Sequence, residues 1–369
     1  MNKHFLLIFA LAAAALVSCK PKPATPRPTI ELVHSILADT SGLRTLAAQA
    51  GSVGASGSIA IVGDPTDAIL LARRFQAVDL RDNVDGRMQR DSLPDFAGEC
   101  IDAILDVFHA PYSHFAGEYC SLDSLREVTV QGALFAWDST CCRHATDRKR
   151  TQPKQQAKIL IYTSSLQAGF GLFDVDTLQQ LTGGQCLVLS PVDILLGQVL
   201  DAGASSVAVW TSREARQSRV WEDAFEARRN GNQTLTALTP DQALDVRTRF
   251  RNILRQYQAT GLSLDALIID SYTENIGPLR SELAMIRRAG TDEDAAFDRM
   301  LSARFNFYLP SDALIETTYG ILRGQNLFAH RIARPQVKYY QTVESDRGEV
   351  VLVEASSSYV YDAYVPEFD

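Results

Sequence analysis

The segment between Gln185 and Phe225 constrains the fold of this chain more than any other. An apolar run at Cys186–Leu189 is followed by a helical pattern, in which apolar residues recur every three or four positions from Val192 to Leu200. A second apolar run, Val207–Trp210, then leads into another helix. Strand, helix, strand and helix in this order form the unit of a parallel sheet with a right-handed crossover. The short, unbroken strands indicate that helices cover both faces of the sheet.

Further apolar runs extend this architecture to most of the chain. Strands are predicted at 58–62, 76–80, 158–162 and 264–269, and helices at 30–50, 94–108, 122–137 and 242–257. Two β-rich runs, 337–343 and 349–354, flank a glycine-containing turn and predict an antiparallel hairpin. We therefore predict an α/β fold with Rossmann-like, three-layer parallel sheets flanked by helices. We expect two lobes, 30–157 and 158–369, with the hairpin at the end of the second lobe.

The N-terminus carries an export pattern. Lys3 and His4 precede an apolar run at 5–17 that is too short to span a bilayer. The tetrapeptide at 16–19, Leu-Val-Ser-Cys, resembles the lipobox of bacterial lipoproteins. This resemblance implies a signal peptide at 1–18, acylation of Cys19 (palmitate being a typical chain) and a lipid bilayer as partner. The alternative is an ordinary secretory signal with an incidental cysteine.

Residues around the predicted lipidation site indicate how the domain would be held. Residues 19–29 contain four prolines and almost nothing apolar, so we expect a semi-extended tether. Lys20, rather than aspartate, follows the cysteine, which favours the outer over the inner membrane in the cell envelope.

Composition excludes some functions. The formal net charge of −8, without a basic stripe, argues against nucleic acid as a partner. The short basic cluster at 143–150 is interpreted as a solvated loop. Neither the cysteine nor the histidine spacing indicates a metal site, and no cofactor is expected. In an exported domain we expect a local disulfide from Cys120 to Cys141 or Cys142, and a buried thiol at Cys186.

Ligands of open α/β sheets bind where loops leave the carboxyl ends of the strands. Hydroxyl, carboxyl and guanidinium groups in the predicted loops suit a small polar ligand, such as a sugar, nucleoside or amino acid. The candidate residues are Asp64, Thr66, Asp82, Thr163, Ser164, Ser165, Thr211, Arg213, Asp270, Ser271 and Glu274. Each serine, threonine and aspartate could instead cap a helix. The P-loop, GxSxG and GxGxxG signatures are absent from the sequence.

Two families resemble residues 158–275. AGASSVAVWTSREARQSRVWEDAFEARRNG and LDALIIDSYTEN are similar to segments of the type 1 periplasmic binding proteins, which implies two lobes closing on a ligand. VDILLGQVLDAGASSVAVWTSREARQSRVWEDAF and LIIDSYTE also resemble the aspartate/glutamate racemase family, which transfers protons with two cysteines. The corresponding loops here, 163–165 and 271–274, contain no thiol. A serine hydroxyl is too weak an acid and base to replace one near neutral pH without a dedicated partner.

The leading prediction is therefore a lipid-anchored envelope protein that binds a small polar ligand in a cleft at the strand ends, without catalysis. One alternative is an enzyme, an isomerase (racemase-like) or hydrolase, that uses Asp64, Asp82 or Glu274 together with Ser164 or Ser271. Another is a structural lipoprotein that binds no ligand.

Overall fold

The computed structural model describes residues 28–39, 42–116, 121–331 and 333–365. The predicted signal peptide, the lipidation site Cys19 and most of the tether lie outside these residues. Within the described ranges, no helix is both long and apolar enough to cross a membrane.

Six strands form the first sheet, in the order β12-β11-β2-β1-β5-β6. With all strands numbered in chain order, they are β1 (Ser58–Gly63), β2 (Cys100–Leu105), β5 (Ala157–Tyr162), β6 (Leu187–Leu189), β11 (Gln336–Glu344) and β12 (Val350–Ala355). Neighbours pair in parallel, except that β11 and β12 are antiparallel. The terminal hairpin thus extends the parallel sheet through β11 and ends it with β12.

Four parallel strands form the second sheet, in the order β10-β9-β7-β8. They are β7 (Ser206–Trp210), β8 (Thr234–Leu238), β9 (Leu264–Ile269) and β10 (Leu301–Tyr308). A small antiparallel pair, β3 (Thr140–Cys141) and β4 (Gln152–Pro153), lies apart from both sheets in strand order.

Helices connect these strands and cover the sheets. In chain order the α-helices are α1 (Glu31–Ala38), α2 (Leu43–Gln49), α3 (Pro65–Ala77), α4 (Leu122–Trp137), α5 (Ser165–Phe170), α6 (Leu172–Thr182), α7 (Pro191–Asp201), α8 (Arg213–Gln217), α9 (Val220–Glu226), α10 (Val246–Gln258), α11 (Ile276–Ile286), α12 (Asp292–Met300), α13 (Pro310–Gly324) and α14 (Ser357–Tyr364). Short 3₁₀ turns occur at Gly54–Ser56 and Tyr112–Ala116.

Strand β1 shows why the first sheet forms the middle of three layers. All six of its residues are buried. Ala60 and Val62 pack in a core with α4 and α6, whereas Ile59 and Ile61 pack in a second core with α3 and α13. Side chains of a strand alternate between faces, so an unbroken apolar run is stable only where both faces are covered. The predicted fold class, including the C-terminal antiparallel hairpin, is confirmed.

Three of the predicted elements are wrong. Residues 94–108 contain the central strand β2 rather than a helix, because Ile101, Ile104 and Leu105 of this strand fall at a spacing that also fits one face of a helix. Residues 76–80 form no strand, since α3 continues to Ala77. The single helix predicted at 30–50 is divided into α1 and α2.

Two further predictions concern the cysteines and the division into lobes. Cys141 and Cys142 are free, buried thiols, as is Cys186, and Cys120 lies outside the described residues. The predicted disulfide joins Cys120, outside the described residues, to Cys141 or Cys142, and both of these thiols are free in this structure. The division into lobes at residues 157 and 158 stays a prediction; the first sheet takes strands from both sides of that boundary.

Candidate functional site

The carboxyl ends of the two sheets face each other across the described molecule. The Tyr272 hydroxyl, beyond β9 in the second sheet, donates to the Thr163 carbonyl, beyond β5 in the first, at 3.3 Å. Ser165, at the start of α5, is close enough to the Asp270 carboxyl to lower its pKa. Loops that end strands of different sheets therefore form one site, as expected for open α/β folds.

Four carboxyl groups lie along this junction, and we call them the carboxyl row: Asp106, Asp64, Asp67 and Asp270. Asp106 is close enough to raise the pKa of Asp64, and Asp64 and Asp270 both raise that of Asp67. The row therefore runs from the first sheet to the second. Among the described residues, no group of three or more His, Cys, Asp and Glu side chains is arranged to hold a metal ion.

The pKa values of Asp64, Asp67 and Asp270 are raised above the ordinary value of aspartate. Burial raises the pKa of Asp64 to about 6, against a backbone hydrogen bond from Tyr112 that lowers it. Burial also raises the pKa of Asp67 to about 7, with the charges of Asp64 and Asp270 adding to the effect. Carboxyls placed this way remain partly protonated near neutral pH.

Asp270 is held by donors from the second sheet and its helices. Its Oδ2 accepts hydrogen bonds from Thr211 Oγ1 at 2.6 Å and Trp221 Nε1 at 3.1 Å. Burial nevertheless raises its pKa, because its surroundings are dense and these donors offset only part of that cost. In the described residues, no lysine or arginine lowers the pKa of Asp64, Asp67 or Asp270, although His114 lowers that of Asp64.

Asp106 is the firmly bound member of the row. Its Oδ1 accepts from Thr342 Oγ1 and pairs with His109 Nδ1, both at 2.8 Å, and its Oδ2 accepts from the Tyr112 hydroxyl at 2.9 Å. Three donors satisfy most of the acceptor capacity of a carboxylate. Asp106 is thus the carboxyl at one end of the row whose position is fixed by its own hydrogen bonds.

Asp64 occupies the N-cap position of α3 without capping it. Its side chain accepts no hydrogen bond from the first turn of the helix. An aspartate at this position ordinarily stabilises the helix by such a bond. Its carboxyl instead interacts with the Tyr112 backbone. Asp64 is therefore not the helix cap that the sequence offered as an alternative.

Gly63 and Thr163 meet closely beside the row. A Cβ atom at residue 63 would lie 1.8 Å from Thr163 Oγ1, so only glycine fits at the end of β1. Thr163 is 2% exposed, and its hydroxyl has no hydrogen-bond partner among the described residues. A buried hydroxyl without a partner costs free energy, and a bound molecule could supply the missing bond.

Several predicted site residues meet at the junction. Thr163, Ser165, Thr211 and Asp270 come together there, with Asp64 at the end of β1.

Three further predicted residues have local partners near the same edge. Thr66 donates to the Tyr364 carbonyl at 2.7 Å. Ser164 caps α5 by accepting from the Gln167 amide. Ser271 contacts Thr273 Oγ1 at 3.1 Å.

Three predicted residues have other roles. Asp82 follows α3, which runs back along β1, so it lies at the amino edge of the sheet, where it accepts from the amides of Val84 and Asp85. Glu274 is held by Arg249 at 2.6 Å. Arg213 is an exposed residue at the start of α8.

Sequence reasoning missed Asp67, Asp106, His109 and Tyr112 as site residues. Asp67 lies within the first turn of α3, where an acidic residue is common for helix stability alone. Asp106 lies near the end of the helix predicted at 94–108, which is in fact β2 and its following loop. The available signal was Asp106 itself, the first polar residue after the apolar run Ala103–Leu105.

Comparisons with solved structures find racemases among the proteins of similar architecture. No protein-family model matches the chain, and no curated protein matches it. Among solved structures, glutamate racemase isoform RacE1 from Bacillus anthracis aligns at 14% identity and a TM-score of 0.49, covering 78% of this chain and 89% of its own. Glutamate racemase from Francisella tularensis, solved with D-glutamate, gives the same identity and score over 80% and 91%. A putative Asp/Glu racemase from Yersinia pestis aligns at 10% identity and a TM-score of 0.38, over 72% and 98%.

These comparisons correct the leading functional prediction. The similar structures are racemases, not periplasmic binding proteins, so they match the second of the two predicted resemblances and not the first. Against these similarities, the prediction of a binding protein without catalysis is wrong, and so is the classification as a periplasmic-binding-protein-like lipoprotein. The lipid bilayer as partner and the envelope localisation concern residues outside the described ranges and stay predictions. At these identities and scores, no racemase residue or substrate is transferred to this chain.

Proposed function

We propose that this protein is an enzyme that transfers protons on a small polar substrate at the carboxyl row, as an isomerase does. The observation that carries the proposal is the convergence of carboxyl groups from two different sheets: Asp64 and Asp67 come from the first, and Asp270 from the second. Acid–base isomerisation requires one group that removes a proton and another that returns one.

The row supplies both protonation states. Interacting carboxyls lose their protons in steps that belong to the group as a whole, so one can stay protonated while its neighbour is ionised. Burial and mutual repulsion bring the pKa values of Asp64 and Asp67 to about 6 and 7, which suits a general acid or base near neutral pH. The objection that a serine hydroxyl is too weak for this chemistry does not apply to these carboxyls.

The reaction is a proton exchange between substrate and row. An ionised carboxylate on one side accepts a proton from the substrate, and a protonated carboxyl on the other side donates one, so charge and atoms balance. The hydroxyls of Thr163, Ser165 and Thr211 provide hydrogen bonds that orient a polar substrate between them.

Solvent exchange tests the proposal without knowledge of the substrate. The protein is incubated in D₂O with a panel of amino acids, hydroxy acids and amino sugars, and loss of carbon-bound protons is followed by ¹H NMR. We expect exchange in at least one compound, and a rate reduced roughly 100-fold or more in Asp67→Asn and Asp270→Asn.

Asp82→Asn is the matched control, because this aspartate lies at the opposite edge of the sheet and should leave the exchange rate unchanged. Exchange that survives in both row variants, or no exchange in any compound of the panel, contradicts the proposal.

A further inference from the structure

A second polar site lies on the surface beside the C-terminal hairpin. A pocket of about 360 Å³ opens between the loop that contains Arg148–Arg150 and the β11–β12 turn. This volume suits a small molecule rather than a protein segment. The sequence of residues 143–150 predicts only a solvated loop, and the residues that line this pocket are not those of the carboxyl row.

The pocket wall has an excess of positive charge. Four cationic side chains, Arg148, Lys149, Arg150 and Arg347, face two carboxylates, Asp147 and Glu349, which leaves a formal charge of +2 in a chain whose net charge is −8. Arg150 and Arg347 are paired, with Asp138 at 2.6 Å and with Glu349 at 3.1 Å.

Arg148 and Lys149 have no ion-pair partner among the described residues, and both are exposed. The excess charge of the pocket therefore belongs to two side chains that remain available to a ligand. Their flexible stems allow both cationic groups to approach one anionic group.

The two loops that carry the cations are held in place by their own hydrogen bonds. Asp147 accepts from the backbone amides of Arg143 and His144, at 2.8 and 3.0 Å, so this carboxylate closes its loop. On the other side, the Ser345 hydroxyl accepts from the amide of Glu349 at 3.2 Å within the hairpin turn. A pre-organised backbone reduces the entropy that a ligand must overcome on binding.

The floor of the pocket is apolar. Cys142, Val350 and Val351 line it, and the Cys142 amide is fixed to the Leu352 carbonyl at 2.9 Å. An apolar floor beneath a cationic wall suits a ligand with an uncharged body and a charged end.

We propose that this pocket binds a small molecule bearing a doubly charged phosphate or diphosphate group. The group would lie between Arg148 and Lys149, which act through charge-assisted hydrogen bonds, while the apolar floor contacts the rest of the ligand. This site is separate from the carboxyl row, so the proposal of phosphate binding does not depend on the proton-transfer function.

The chain contains a matched control pocket. A pocket of about 350 Å³ beside α8 and α9 also has two arginines, Arg216 and Arg219, but they are balanced by Glu222 and Glu226. This second pocket has a similar volume but no excess positive charge. Variants of its arginines therefore test whether anions bind to the first pocket specifically or are attracted to any surface arginine.

Isothermal titration of the full chain with inorganic pyrophosphate, at constant ionic strength, tests the proposal. We expect saturable binding by the wild type, weakened roughly tenfold or more in Arg148→Gln/Lys149→Gln and unchanged in Arg216→Gln/Arg219→Gln. Both pairs are on the surface, and equal urea midpoints would establish that the variants fold alike.

The other outcomes overturn the proposal. Absence of pyrophosphate binding by the wild type does so directly. An equal loss in the two double variants would show diffuse charge attraction instead of a site.

Discussion

The two edges of the first sheet bury charged groups in opposite ways. At the amino edge, two buried carboxylates each have a lysine: Glu99 Oε2 is 2.7 Å from Lys158 Nζ, and Asp102 Oδ2 is 3.8 Å from Lys154 Nζ. At the carboxyl edge, Asp64 and Asp67, together with Asp270 of the second sheet, have no lysine or arginine acting on them within the described chain.

The difference separates structural charges from functional ones. A buried charge with a partner holds elements in register, as Lys158 does by also donating to the carbonyls of Ala55 and Leu327. A group of like charges without a counter-ion opposes folding, and such groups persist where the chemistry requires their perturbed pKa values. The comparison therefore predicts opposite effects of neutralising a charge at the two edges.

The largest effect is expected from Lys158→Met at the amino edge. The variant leaves Glu99 buried without its partner, and we expect the free energy of unfolding to fall by about 3–5 kcal/mol. Urea denaturation followed by circular dichroism measures the loss. The double variant Lys158→Met/Glu99→Gln should be less destabilised, because no buried charge is then unpaired; a double variant as unstable as the single one would refute this account.

Asp67→Asn at the carboxyl edge should act in the opposite direction. In the wild type the folded pKa of Asp67, about 7, lies above its ordinary value of 3.8, so the folded state binds the extra proton between these values. The free energy of unfolding should therefore decrease as pH rises from about 4 to about 7, and the variant should be more stable at pH 8 by roughly 1–3 kcal/mol.

The measurement is urea denaturation at several pH values. Asp362→Asn, at an exposed helix position, is the control and should leave the pH dependence unchanged. Equal stability of Asp67→Asn and wild type at pH 5 and pH 8 would mean that the row does not oppose folding.

Tyr112→Phe sharpens the comparison within the row. Asp106 has three side-chain partners, and the variant removes one of them, a hydroxyl at 2.9 Å. We expect a loss of roughly 1–2 kcal/mol in the free energy of unfolding. Tyr308 is the control, because its hydroxyl has no hydrogen-bond partner among the described residues, and Tyr308→Phe should lower the free energy of unfolding only slightly. Similar losses for the two variants would show that Asp106 does not depend on Tyr112.

Arg74→Gln should have the smallest effect. Its ion pair with Asp312, at 3.2 Å, is about half exposed on both sides, and exposed pairs contribute about 0–1 kcal/mol. The small loss should disappear in 1 M salt, because ions screen exposed pairs. If Arg74→Gln lowered the free energy of unfolding as much as Lys158→Met does, burial would not explain the difference between exposed and buried ion pairs.

Much of the fold follows from local patterns. The apolar runs predict β1, β5, β7 and β9, and the three-to-four spacing predicts α4 and α10, because each pattern places one set of side chains in the core. Strand β2 could not be recognised, since the spacing of its apolar residues also fits one face of a helix. Because β2 was not predicted, the loop after it, which contains Asp106 and His109, was not recognised as a loop at a strand end.

The candidate site was predicted only in part. The rule that ligands bind at strand ends directs attention to Asp64, Thr163 and Asp270, which the structure places at the junction of the two sheets. The same rule includes Asp82 and Glu274, whose local partners, two backbone amides and Arg249, occupy them elsewhere. Whether a polar side chain already has hydrogen-bond or ion-pair partners depends on its neighbours in space, and a local sequence pattern does not contain them.

The sequence alone determined the alternation of strands and helices and the polar character of their ends, because both depend on residues adjacent along the chain. The tertiary structure decided which charges have counter-ions. Glu99 and Lys158 meet because neighbouring strands bring them together at one edge, and Asp67 and Asp270 meet because two separate sheets face each other. Electrostatic free energy depends on distance and burial in space, so the contrast between the two edges exists only in the folded molecule.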